Sequence, residues 1–250
     1  MPRPRLLLVP EFTELSWTPI RSQLDEWADI AFFDPPGVGE EPQRDLSAGF
    51  VSRELKGQIV ERGLQELDRR GWTRFFVVAD GWAIHEAVRI AGARRDAVAG
   101  LVLGHARLSH RRQGDRAPIN GEVWAGLTQL LKQDHEEFLR YAIVQTSRGG
   151  VDEELAAEMV ARFPQEWIEA GWETLTREEE FEAELRELEL PLLLAKHEGC
   201  LMSTAEGYEE AAAAFPDART ITTSTACASD PAFAAAAREF CEQAVAVEGA

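Results

Sequence analysis

Apolar residues along this chain gather in short unbroken runs. Five of them read as buried strands: Leu6 to Val9, Ile30 to Phe33, Phe75 to Ala79, Val98 to Leu103 and Leu192 to Ala195. The β-branched residues of Arg219 to Thr223 suggest a sixth. Most of the runs lack polar alternation, which fits a parallel sheet covered on both faces. Between them the apolar spacing becomes helical, over Trp17 to Trp27, Phe50 to Leu67 and Ile84 to Ala91. Strands alternating with helices predict a doubly wound α/β sheet.

The alternation breaks between Leu103 and Leu190. Helices are expected over Glu122 to Lys132, His135 to Val144, Asp152 to Phe163 and Arg177 to Leu188, punctuated by Gly149-Gly150 and Pro164. This segment reads as a helical insertion between two strands of the sheet. Its acidic stretch, Glu178-Glu179-Glu180 with Glu182, Glu184, Glu187 and Glu189, reads as a solvated helix face, with partner binding as the alternative. The Ala-rich tracts near 211 and 234 read as helix interiors.

Charge and cysteine content narrow the function classes. Lys and Arg total 26 against 44 Asp and Glu, a net charge of −18 over 250 residues. Such a surface excludes an electrostatic nucleic-acid binder and disfavours docking on anionic membranes. Three cysteines, Cys200, Cys227 and Cys241, have neither the number nor the spacing of a disulfide framework, and read as reduced thiols. The apolar run after Met1-Pro-Arg-Pro-Arg is too short for a signal segment or a membrane span. A cytoplasmic protein is expected. No phosphate-binding glycine motif or metal-specifying spacing occurs, so no cofactor and no metal are implied.

The order of pieces then becomes informative. One strand runs into Pro10-Glu11-Phe12-Thr13-Glu14, and a second ends in Asp34-Pro35-Pro36-Gly37-Val38-Gly39. A third ends in Ala79-Asp80-Gly81-Trp82-Ala83 and turns at once into a helix; a fourth ends in Leu103-Gly104-His105. A helical stretch, two further strands and a C-terminal helix from Asp230 complete the chain. This order resembles the α/β-hydrolase superfamily over nearly the whole length. The resemblance implies a single domain over 1–250, with a core of 1–110 and 190–250 and a helical cap of about 111–189.

In that superfamily the third turn carries the nucleophile between small residues, because the strand-to-helix elbow is tight. Ala79 and Ala83 match the small positions, which puts Gly81 at the nucleophile. Glycine accepts the strained backbone but has no side chain to attack a carbonyl. Shifting the frame to make Asp80 the nucleophile puts Trp82 where a small residue is needed. The superfamily's acid falls on Gly199, or on Cys200 after a one-residue slip, with Glu198 a near miss. Its histidine belongs before the last helix, where the chain reads Ser224-Thr225-Ala226-Cys227-Ala228-Ser229; the last histidine is His197. A Ser–His–Asp mechanism needs all three members together, so a degenerate triad is expected. The resemblance further implies an oxyanion hole from the backbone N–H groups of Phe12 and Trp82, which do not depend on side-chain identity.

Several side chains carry candidate chemistry. Asp80 is a base facing the pocket, or the N-cap of the next helix. His105 ends the fourth strand at the sheet edge where α/β folds bind ligands, as a base or as a loop histidine. His197 and Glu198 are a base and its orienter, or independent neighbours. Cys200 is a reactive thiol beside His197, or a packed one. Glu11 is an acid or base beside the pocket, or a solvated loop carboxylate. His85 reads as packed inside. Trp124, Trp167 and Trp172 form the apolar face of the inserted helices, with Trp124 as a pocket wall. Arg107, His110, Arg111, Arg112 and Arg116 form the one basic cluster, a solvated loop or an anion site. Asp34 reads as a turn-bonding structural residue.

Three function classes follow: a non-catalytic carrier of a small, largely apolar carbonyl or carboxylate compound; a hydrolase, lyase or isomerase using Asp80, His105 and His197 in place of the triad; and an accessory subunit that binds a protein. The carrier reading leads on sequence grounds, because all three triad positions depart together. A homo-oligomer stays open.

Overall fold

The structure, a computed structural model, describes residues 3–11, 13–38, 52–108, 120–147, 150–162, 181–200 and 203–248, the side chains of 52–55, 145–147 and 246–248 excepted. Among the described residues, six strands form one parallel sheet: β1 Arg5–Val9, β2 Asp29–Phe32, β3 Phe75–Asp80, β4 Val98–Gly104, β5 Leu192–His197 and β6 Arg219–Thr223. Their spatial order is β2-β1-β3-β4-β5-β6.

The unbroken apolar runs have the cause the pattern suggested. Successive strand residues point to opposite faces, and here both faces are covered. Leu7, Val9, Val77, Ala79, Leu101 and Leu194 join one core. Their neighbours Leu6, Leu8, Phe76, Val78, Val102 and Leu193 join the other. The first face is covered by α2 Ser52–Arg70 and α3 Ile84–Ala93, which bring in Ile59, Leu67, Ile84 and Ile90. The second is covered by α1 Thr18–Asp25 and the C-terminal helix Pro231–Glu248. There Trp17 stacks on Phe233 at 6.3 Å, and Phe240 meets Phe76 edge-on at 6.0 Å. Each such fully buried side chain contributes about 1.5–3 kcal/mol over its exposed state.

Between β4 and β5 the described elements are helical: α4 Gly121–Gln133, α5 His135–Ser147, α6 Glu153–Ala161 and α7 Glu182–Leu188. Asn120 and Asp152 cap α4 and α6 by accepting backbone N–H groups. In α7, Leu185 and Leu188 turn inward while Glu184, Glu187 and neighbouring Glu189 are exposed, as a solvated face requires. The expected helix starts at Phe50 and Arg177, Trp167, Trp172 and the basic residues 110–112 and 116 lie outside the described residues. Helix α8 Ala205–Ala214 joins β5 to β6. Among the described residues, no helix is long and apolar enough to cross a membrane.

Two boundaries depart from the sequence pattern in informative ways. The Trp17 to Trp27 segment is a 3-10 turn, Glu14–Trp17, followed by a helix that ends at Asp25. Strands β3, β4 and β5 run one or two residues past their apolar runs, through Asp80, Gly104 and His197. Those extensions carry Asp80 into register with Gly104, and His197 with Thr223. Polar side chains are thereby held at the C-terminal edge of the sheet by strand hydrogen bonding rather than by loops.

Candidate active site

Glu11, Asp80, His105 and His197 come from the C-terminal ends of β1, β3, β4 and β5, the edge where open α/β sheets place their ligands. Asp80 leaves β3 without capping the following turn. That corrects the cap reading: its Oδ1 lies 2.5 Å from Nδ1 of His105, and its Oδ2 accepts the backbone N–H of Ala228 at 2.9 Å. A carboxylate at this register needs room. A Cβ on Gly104 would stand 2.5 Å from Asp80 Oδ1 and 2.6 Å from Cys227 Cβ, so only glycine fits opposite it.

His105 continues the chain of contacts. Its Nε2 shares a 2.8 Å hydrogen bond with Nδ1 of His197, 92 residues away. Its backbone is left-handed, φ +48°, a conformation that costs a non-glycine residue of order 1–3 kcal/mol. Both imidazoles are buried, and His105 lies in the turn after β4 with both ring nitrogens hydrogen-bonded. His197 pairs with His105 while Glu198 is exposed, so the expected pairing of those two neighbours gives way to one across the strands.

Cys200 follows β5 after a turn in which Gly199 has φ +70°. Its sulfur and one ring nitrogen each of His105 and His197 lie within 4.8 Å of one another. Burial raises its pKa, but the charge of His105 and hydrogen bonds from both imidazoles outweigh that and bring it to about 4. His105 shows the reciprocal effect. Burial pulls it down, and Asp80 and Cys200 together hold it well above the usual imidazole value. Asp80 is likewise held low by His105 despite burial. Cys227 has the opposite environment: burial and the Asp80 charge push its thiol up to about 12. One cysteine is thus poised as a thiolate and the other held as a thiol.

Glu11 is half-buried rather than a fully solvated carboxylate. Its Oε1 accepts the backbone N–H of Trp82 at 3.1 Å, the donor expected to serve an oxyanion. Gly81 turns the elbow at φ +57°, and a Cβ there would fall 2.0 Å from that same oxygen. The Glu11 carboxylate therefore occupies the space where an elbow side chain would begin. Burial and the nearby Asp80 charge raise Glu11 to about 7, against the opposing pull of His105, the Trp82 N–H and Arg107. Phe12, the other expected donor, lies outside the described residues.

Arg107 was expected in a basic loop. It is only 3% exposed. Its guanidinium covers the Trp82 ring at 4.6 Å and donates through Nη1 to Ser203 Oγ at 2.9 Å. Among the described residues, its Nε and Nη2 are buried without a hydrogen-bond partner. Sequence reasoning missed Ser203 altogether, and no local signal marks it. Trp124 packs on Trp82 at 5.3 Å, within the core rather than on the cleft. His85 packs inside, stacked on Phe181 at 5.3 Å, as expected. Asp34 accepts the N–H of Glu14 at 2.9 Å, a structural bond to the neighbouring loop.

A cleft of about 200 Å³ opens beside this network, lined among others by His105, Arg107, Lys196, His197, Cys200 and Ser203. A larger groove of about 470 Å³, at the starts of β5 and β6, is lined by Arg186, Glu189 and Asp217 but holds no nucleophile. Two sets of metal-ligand atoms occur among the described residues, His105 with His197 and Cys200, and Asp80 with His105 and Cys227. They share His105. The 2.8 Å between the histidine nitrogens is a hydrogen-bond spacing, shorter than the roughly 3.3 Å between two nitrogens on tetrahedral zinc.

No protein-family model matches the sequence, and no curated protein matches it. Solved structures do. The enol-lactonase of Burkholderia xenovorans is 18% identical, with a TM-score of 0.72 over 96% of this chain and 92% of that one. A thermophilic esterase from Thermogutta terrifontis is 17% identical, with a TM-score of 0.73 over 98% and 91%. A hydrolase from Pseudomonas aeruginosa is 17% identical, with a TM-score of 0.71 over 95% and 89%. With the parallel six-stranded sheet, these likenesses show that the chain has the α/β-hydrolase fold.

Proposed function

We propose that this protein is a hydrolase acting on a small carbonyl compound, with His105 as its acid–base group, Asp80 as the orienting carboxylate and His197 as a second imidazole in the same proton path. The single observation that carries the reading is the buried Asp80–His105–His197 hydrogen-bonded chain ending at the cleft. A buried carboxylate against Nδ1 fixes the tautomer and orientation of a catalytic imidazole. Perturbed ionisable groups beside a cleft are the arrangement expected of a working site. The elbow glycine argues against an acyl-enzyme on residue 81, not against chemistry beside it. This reverses the order favoured by sequence alone, where the carrier reading came first. In the proposal, residues 111–189 cover the cleft as a cap on the core of 1–110 and 190–250.

The test is hydrolysis of p-nitrophenyl esters of increasing chain length by wild type, His105→Ala and Asp80→Asn. Turnover above buffer that falls about 10²–10⁴-fold in His105→Ala is expected for loss of a general base. Wild type without turnover, together with a small carbonyl compound that co-purifies, would restore the carrier reading. That reading draws its support from Glu11, whose carboxylate already occupies the Trp82 N–H.

A further inference from the structure

We infer that Cys200 is the nucleophile of this cleft: it attacks the carbonyl carbon of a small carboxylic ester, with His105 as its proton partner and Arg107 as the cation beside the developing oxyanion. The inference rests on the hydrolytic reading above and deepens it.

Three independent observations converge. The first is placement. Nδ1 of His105 faces Asp80 and its Nε2 is shared with Nδ1 of His197, so the Nε2 side of the ring serves the nucleophile when that shared bond opens. The Cys200 sulfur and the His105 ring stand within 4.8 Å. Acid, base and thiol are thus present, but the thiol comes from the loop after β5 rather than from the elbow. The second is the guanidinium. A buried guanidinium with two nitrogens, Nε and Nη2, unpartnered among the described residues is costly unless something fills the role. A negative oxygen forming in the cleft would do so, and donors aimed at such an oxygen stabilise it in the transition state. The third is the link between them. Ser203 donates its backbone N–H to Cys200 Sγ at 3.4 Å while its Oγ accepts from Arg107 Nη1 at 2.9 Å. One residue thereby holds the sulfur and the guanidinium at fixed separation.

The chemistry balances with water as the only co-reactant. The Cys200 thiolate forms a bond to the ester carbonyl carbon, and the carbonyl π pair moves onto oxygen beside Arg107. When that pair returns, the carbon–oxygen bond to the alcohol breaks. The leaving oxygen takes the proton held on His105 Nε2, leaving a thioester on Cys200. Water then adds to the thioester carbon and gives its proton to His105. The carbon–sulfur bond breaks, the carboxylic acid departs, and thiolate and imidazolium are restored. The 200 Å³ cleft suits a short acyl chain.

The test is acid-quenched mass spectrometry of the full chain after seconds with p-nitrophenyl acetate, with peptide mapping, beside steady-state turnover. An acetyl group on Cys200 that forms and decays is expected in wild type. Turnover should fall about 1000-fold in Cys200→Ala, with only weak activity in Cys200→Ser. Arg107→Ala should lower kcat more than it raises KM. Circular dichroism checks that each variant folds, and the wild-type adduct stands whether or not they do. Turnover that needs His105 but survives Cys200→Ala would overturn the nucleophile and leave the hydrolytic reading intact. No Cys200 adduct in wild type, or an adduct that forms as fast in His105→Asn, would also overturn it. Absence of any His105-dependent turnover would instead sink the hydrolytic reading.

Discussion

The carboxylate of Glu11 sits where a side chain on Gly81 would begin: a Cβ there would lie 2.0 Å from Glu11 Oε1. The glycine at the elbow and the carboxylate from the β1 loop therefore fit each other: one leaves the space that the other fills. Installing a serine at the elbow should not recreate a working nucleophile, because Glu11 blocks both its space and the Trp82 N–H. Gly81→Ser should lose about 1–3 kcal/mol, mostly from the left-handed backbone, with a smaller part from moving the end of the flexible Glu11 side chain. The double variant with Glu11→Ala should recover the collision but not the backbone cost. Urea unfolding of the three proteins checks this; a Gly81→Ser protein as stable as wild type would refute the left-handed elbow, and a double variant with no gain over Gly81→Ser would place the Glu11 carboxylate elsewhere.

Glu11 also makes stability depend on pH with a definite sign. Its folded pKa of about 7 lies above its ordinary 4.5. Between those values the folded chain holds more protons than the unfolded one, so this group lowers stability as pH rises through the window. Glu11→Gln cannot ionise. The stability of the Gln variant relative to wild type should therefore increase from about pH 4.5 to pH 7 and level off above. Denaturation midpoints of both proteins across that range decide the matter, and a constant difference would refute the raised pKa.

Much of the fold was legible because it rests on local pattern. Even the exposed edge strand β6 follows from Ile221 and the threonines around it. The site was legible only in its inventory. Asp80, His105, His197, Cys200 and Glu11 all stand out in the sequence, and Cys200 is placed beside His197 there, but the hydrogen-bonded partners of the others are not. His105 meets His197 because β4 and β5 pair in a register set by Leu101, Val102 and Leu103 against Leu192, Leu193 and Leu194, which no short-range signal encodes. Asp80 carries a strong local capping signal, overridden by a tertiary partner 25 residues on. Arg107 adjoins a basic loop and looks solvated; its burial comes from Trp82 below it and Ser203 beside it.

Gly104 tests whether the strand register holds the acid–base pair together. Adding a methyl group there meets Asp80 Oδ1 at 2.5 Å and Cys227 Cβ at 2.6 Å, both inside contact distance. Gly104→Ala should cost about 1–3 kcal/mol as an overpacked site. It should also weaken Asp80's hold on His105, lowering the imidazole pKa. Titration of the His105 ring by NMR reads the second effect separately from stability; an unchanged titration beside a destabilised fold would mean that the strands part without disturbing the pair.

Asp80→Asn is the sharpest probe of the buried pair. The amide keeps the size of the carboxylate but cannot balance an imidazolium, and with one acceptor oxygen for two donors it leaves either His105 Nδ1 or the Ala228 N–H facing an NH₂ that cannot accept. Breaking a buried ion pair by removing one partner costs about 3–5 kcal/mol. That cost has a pH signature. Wild-type His105, raised by Asp80 and Cys200, contributes stability that is fully present below its unfolded pKa near 6.5 and is lost as pH rises through the folded value. Without Asp80 the folded value drops, so the gap between variant and wild type should be widest in acid and narrow toward alkaline pH. Thermal unfolding from pH 6 to pH 10 measures it, and a gap that stayed constant would mean that His105 is neutral in the folded protein.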